Sequence, residues 1–178
     1  MRRRPACAAA ALAALAILAG PALAGPPYPQ QRQGSGLETT GGGGLVMGAP
    51  FRARAALVGF DRRYGELRIT LAPRRVGCAA IGDPAAIPAP YVVALVTPRP
   101  GRRLPVGRAL APPAVGLVQA SFVSTGSTYV GQRGVRLVLT RVDTARHALW
   151  RGRLTVPRVG AGRSAYAFRG TFAATWCG

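Results

Sequence analysis

An all-β domain is the fold this sequence predicts: an antiparallel β-sandwich of about seven to nine strands, with a small β-barrel as the alternative closure. Three features point there. Apolar residues alternate with polar ones at a period of two in one segment after another, Leu67, Ile69 and Leu71 being the clearest case. Clusters of Gly, Pro, Asp and Ser break the chain at short intervals. Beyond the N-terminal 24 residues, no segment repeats its apolar residues with the period of a helix.

Residues 1–24 have the layout of a secretory signal peptide. Arg2, Arg3 and Arg4 form a positive start, Ala8 to Ala19 a short apolar run, and Pro21-Ala22-Leu23-Ala24 a small-x-small cleavage pattern before Gly25. The apolar run is shorter than the ~20 residues a spanning helix needs. The expected address is periplasmic or secreted. Residues 25–50 read as a flexible leader, because Pro26, Pro27, Pro29 and the run Gly41 to Gly44 offer little apolar surface to offset the entropy of ordering.

The β-domain is expected over residues 51–178. Ala56 to Phe60 and Glu66 to Leu71 flank the turn Asp61-Arg62-Arg63-Tyr64-Gly65 and read as a β-hairpin. The Pro-rich stretch 73–90 reads as a loop carrying Cys78. Tyr91 to Thr97 is apolar on both parities, as in a central strand covered on two sides. Leu104 to Leu110 would suit only an edge strand, since Pro105 has no N–H to donate. Val115 to Val123, Tyr129-Val130 and Gly134 to Val142 are further strand candidates. In the next one, Trp150, Gly152, Leu154 and Val156 share a face opposite Arg151, Arg153 and Thr155. The last segment places Tyr166, Phe168, Phe172 and Trp176 on one parity and Arg169 and Thr171 on the other, an aromatic inner face backed by a soluble outer one.

Once the signal peptide is removed, Cys78 and Cys177 remain, and an even pair in an exported chain predicts one disulfide. The charge is one-sided. All 24 basic residues are arginine, against 5 acids, and losing Arg2 to Arg4 still leaves an excess of about +16. An arginine-rich, lysine-free composition is in part the mark of codon bias, but a field of that sign attracts polyanions whatever its origin.

The residues that catalysis needs are scarce. His147 is the only histidine, so neither a zinc site nor a Ser-His-Asp arrangement has a second anchor, and no metal, cofactor or catalytic residue is expected. A small secreted hydrolase, the competing class, would have to use Asp61, Glu66 and His147. Candidate polyanion-binding residues are the loop arginines Arg62, Arg63, Arg74, Arg75, Arg99, Arg102 and Arg103. Acidic polysaccharide or lipopolysaccharide is the expected partner. Nucleic acid is disfavoured by the export signal and by the lack of aromatics interleaved with the basic residues.

The strand Leu67-Arg68-Ile69-Thr70-Leu71 followed by Cys78, with Gly134 to Asp143 and Phe168-Arg169-Gly170-Thr171-Phe172-Ala173-Ala174-Thr175-Trp176-Cys177, resembles small secreted bacterial β-sandwich proteins of unknown function. The resemblance covers residues 55–78 and 134–177. It implies a sandwich closed by its terminal strand and brings no catalytic residues.

Overall fold

The computed structural model describes residues 40–125, 127–131 and 133–178. The expected signal peptide and residues 25–39 of the expected leader lie outside them. Ten strands occur among the described residues: β1 (Gly41–Val46), β2 (Ala49–Ala53), β3 (Ala55–Asp61), β4 (Glu66–Ala72), β5 (Tyr91–Pro98), β6 (Val115–Ser124), β7 (Ser127–Gly131), β8 (Arg136–Arg141), β9 (Leu149–Val159) and β10 (Tyr166–Trp176). The only helical pieces among them are short 3-10 turns, two of them in the β4–β5 connection at Cys78–Ile81 and Pro84–Ala86. The fold is all-β, and its strands form one strongly curled, half-barrel sheet.

β10 holds this sheet together. Along one edge it pairs with β9 over nearly its whole length, and β8 pairs with β9 in turn. Two strands share its other edge. Ala167 to Thr171 pair antiparallel with β1, whereas Thr175 and Trp176 pair parallel with Leu57 and Val58 of β3. Between these partners the backbone of Ala173 would be left without a ladder, and a buried backbone group without a partner is costly. Thr40 fills the gap: its buried hydroxyl donates to the Ala173 carbonyl (3.0 Å) and accepts from the Ala173 N–H (3.3 Å). From β3 the sheet runs on through β4, β5 and β6 to β7.

The curl closes around the aromatic face of β10. Phe168 and Phe172 are buried beside Leu67, Leu137, Leu139 and Leu154, as the parity of the segment predicts. The two terminal aromatics cap the ends of the core and are half-buried. Tyr166 stacks on Tyr129 of β7 at 4.4 Å and meets Phe122 of β6 at 5.5 Å, although β6 and β7 lie at the far end of the sheet. Trp176 stacks on Trp150 of β9 at 5.1 Å. A second, smaller core lies on the opposite face of β3, β4 and β5, where Ala80, Ile81 and Ile87 of the 73–90 connection cover Leu57, Tyr91 and Val93. That cover explains why β5 is apolar on both parities. The connection is pinned by the predicted disulfide, Cys78–Cys177, whose Cα atoms stand 5.3 Å apart.

Two expectations need correction. The domain does not begin at Phe51, and residues 41–50 are not a loose leader: they form β1 and the start of β2. The glycine run is what lets β1 approach β10. A Cβ at Gly42 would come within 2.7 Å of the Phe168 ring and 2.8 Å of the Gly170 Cα, and a Cβ at Gly170 would overlap Gly42 in turn. Only two facing glycines fit there. The Leu104 to Leu110 segment is not a strand. It touches the edge of β8 through a single bridge, Ala109 to Val138, flanked by the N–H groups of Gly107 and Leu110 donating to Leu139 and Leu137.

Candidate functional site

The outer face of β8, β9 and β10 carries the densest charge built on regular structure. Inward parity on these strands is given to Leu137, Leu139, Trp150, Leu154, Val156, Phe168 and Phe172, so the alternate residues must point outward. Register then decides which outward residues meet. Arg136 stands opposite Thr155, Thr155 opposite Arg169, Arg169 opposite Gly43 and Gly43 opposite Arg52. Arginine thus recurs at every second strand, roughly 9–10 Å apart at the usual inter-strand spacing. One step along β9, Arg153 lies between Val138 and Thr171.

Arg136, Val138, Arg153, Thr155 and Arg169 line an open cleft of about 310 Å³. All three of its arginines are exposed, and the Thr155 hydroxyl stands between Arg136 and Arg169. Gly43, with no side chain of its own, leaves the way open from Arg169 toward Arg52. The strands β1, β2, β8, β9 and β10 together hold seven arginines and no Asp or Glu, although Asp143, just past β8, reaches Arg141. The acids of the described residues lie elsewhere, Asp61 and Glu66 in the β3–β4 hairpin, Asp83 before Pro84–Ala86 and Asp143 after β8. Guanidinium groups held in this way suit phosphate, sulfate or carboxylate oxygens, which they bind bidentately.

The loop arginines singled out from the sequence are dispersed by the fold. Arg62 and Arg63 line a cleft of about 560 Å³ at the β3–β4 turn, beside Tyr64. Arg102 and Arg103 line a shallow basin of about 490 Å³ in the β5–β6 connection, joined there by Arg108, and Arg99 lies just before them. Arg74 and Arg75 stand exposed after β4. The sheet-face cluster draws on none of them. Its signal was present in the outward parity of Arg136, Arg153 and Arg169, but their convergence depends on cross-strand register.

Of the groups a hydrolase would draw on, Asp61 already has partners. Asp61 accepts from Arg68 Nη2 at 2.9 Å and from the Arg63 N–H at 3.0 Å. His147 is exposed in the β8–β9 turn at φ 60°, where its backbone N–H donates to the Trp176 carbonyl. Its neighbour Asp143 accepts from the Ala145 N–H at 3.0 Å and lies 3.9 Å from Arg141. Among the described residues no three His, Cys, Asp or Glu groups converge as a metal site would require. No helix among them is long and apolar enough to cross a membrane. No protein-family model, curated protein or solved structure matches the chain.

Proposed function

We propose that the protein is an exported, non-catalytic β-scaffold that binds anionic glycans through the arginine face of β8, β9 and β10. The ligand class is acidic polysaccharide or the phosphorylated saccharide of lipopolysaccharide, and the general role is attachment at the cell envelope. The observation that carries this reading is the segregation of charge. Seven arginines and no acid occupy five strands, while every described acid sits outside those strands. We read the curled sheet as a sandwich, in keeping with the resemblance to small secreted β-sandwich proteins, with these five strands as one wall. Its rigidity would fix the spacing of the arginines and limit the side-chain entropy lost on binding.

The test is binding to immobilised heparin across a salt series. Charge-driven binding weakens steeply as ionic strength rises, through screening and release of counterions. Replacing Arg136, Arg153 and Arg169 together by serine should lower the slope of log affinity on log salt by about one for each arginine that pairs with a heparin anion. An affinity unmoved by salt would overturn the reading.

Export is a separate part of the proposal, supported by the signal-like N-terminus and by a disulfide of the kind that persists in oxidising compartments. N-terminal sequencing of the protein from its native cells should begin at Gly25. An intact Met1 on the folded, disulfide-bonded protein would contradict it.

A further inference from the structure

The 73–90 connection does more than cover β3, β4 and β5: between it and the strands of β5 and β6 it leaves a cavity of about 180 Å³. Its apolar lining comes from Ile81 and Ile87 of the connection and from Val93 and Val123 of the strands. Interleaved with these are Arg68, Thr70, Tyr91 and Ser121, of which Thr70, Tyr91 and Ser121 are buried.

Arg68 is the unusual group. Its Nη2 is held by Asp61 at 2.9 Å and its guanidinium lies over the Tyr64 ring at 5.4 Å, yet its Nε–H is buried with no acceptor. A guanidinium carries five N–H donors, and the contact of Asp61 with Nη2 leaves the Nε–H of this one unmatched. Tyr91 shares the neighbourhood. Burial pushes its hydroxyl above the usual tyrosine range while the charge of Arg68 pulls the other way, so it remains a neutral O–H donor at ordinary pH. Every polar side chain of this lining can donate, and no carboxylate is among them. An acceptor-only group is the natural complement to such a set.

The space limits what carries that group. Pockets for drug-sized molecules run to roughly 300–1,000 Å³, so this one suits a single ring or a short chain. The Arg62 and Arg63 cleft adjoins the cavity, sharing Arg68, Ile81 and Pro84 with it, and brings two further cations near it beside the Asp61 carboxylate.

We propose that this cavity binds a small monocarboxylic acid, its apolar body against Ile81, Ile87, Val93 and Val123 and its carboxylate on the unpartnered Nε–H of Arg68 and the hydroxyl of Tyr91. The site is independent of the arginine face.

Nuclear magnetic resonance of the isotope-labelled full chain, titrated with benzoate and separately with benzyl alcohol, tests it. Benzoate should give saturable shifts at Ile81, Ile87, Val93 and Val123, and benzyl alcohol, which lacks the charged head, should bind about tenfold more weakly or worse. Arg68→Lys keeps a cation for Asp61 but removes the Nε–H, and should weaken benzoate by about tenfold with little effect on benzyl alcohol. Tyr91→Phe, which deletes only the hydroxyl, serves the same purpose should the Arg68 variant lose its fold. Equal affinity for the two probes, shifts centred on Arg136, Arg153 and Arg169, or no saturation with benzoate would each overturn the proposal.

Discussion

Phe172→Ala is expected to destabilise the domain by about 3–5 kcal/mol, the usual cost of truncating a core phenylalanine. Phe172 is buried at the middle of β10, directly opposite Gly152 of β9. Its ring lies over that glycine, so that a Cβ there would come within 2.5 Å of the ring and 2.6 Å of the Val138 carbonyl. An aromatic folded over a glycine of the neighbouring strand leaves a hole that no nearby side chain can close. Thr171→Ala, one residue away on the exposed face, removes only a long hydroxyl hydrogen bond to the Gly41 carbonyl (3.4 Å) and should cost well under about 1 kcal/mol. Denaturant unfolding followed by tryptophan fluorescence checks the pair. Coincident midpoints would contradict the inner and outer faces assigned to β10.

Opening the Cys78–Cys177 bridge should have an effect of similar size. The two cysteines are 99 residues apart, and a loop of that length constrains the unfolded chain by up to about 4.7 kcal/mol on the chain-entropy account. The loss should also be local in the folded state. Cys78 opens the 3-10 turn that carries Ala80 and Ile81, and Cys177 follows β10, its N–H donating to the Val58 carbonyl at 2.8 Å. The paired variant Cys78→Ser, Cys177→Ser should therefore melt lower and exchange amides faster over residues 76–88 than over β9 and β10. An unchanged melting temperature with uniform exchange would show that the bridge constrains neither state.

These outcomes depend on features that were legible in the sequence to different degrees. The aromatic parity of β10, the alternation of β4 and β9 and the two-sided apolar β5 could be read directly, because each is a local pattern with the period of a strand. The disulfide followed from the cysteine count and the expectation of export. β1 was hidden because Gly41 to Gly44 show no hydrophobic period. They are selected by the close approach of Gly170, some 130 residues later, which no window along the chain contains. The parallel contact of β10 with β3 is invisible for the same reason.

The arginine face shows the limit most clearly. Adjacent arginines such as Arg62-Arg63 or Arg102-Arg103 stand out in a linear reading but end up on different loops. Arg52, Arg136 and Arg169 stand far apart in the chain, yet they fall on one row of the sheet once β2, β1, β10, β9 and β8 are aligned. Neighbourhood in sequence was a poor guide to neighbourhood on the sheet, because register rather than chain distance places side chains on a pleated face.

A charge-matched comparison separates a built site from a merely basic protein. One variant carries Arg136→Ser, Arg153→Ser and Arg169→Ser; the other carries Arg99→Ser, Arg102→Ser and Arg103→Ser, which removes the same charge from the β5–β6 connection. Both are titrated against heparin at one fixed salt concentration, after unfolding curves establish that each is folded. The sheet-face variant should lose at least about tenfold more affinity than the loop variant, a difference of about 1.4 kcal/mol. Equal losses would mean that net charge alone drives the binding, and that the arginine face is not the site.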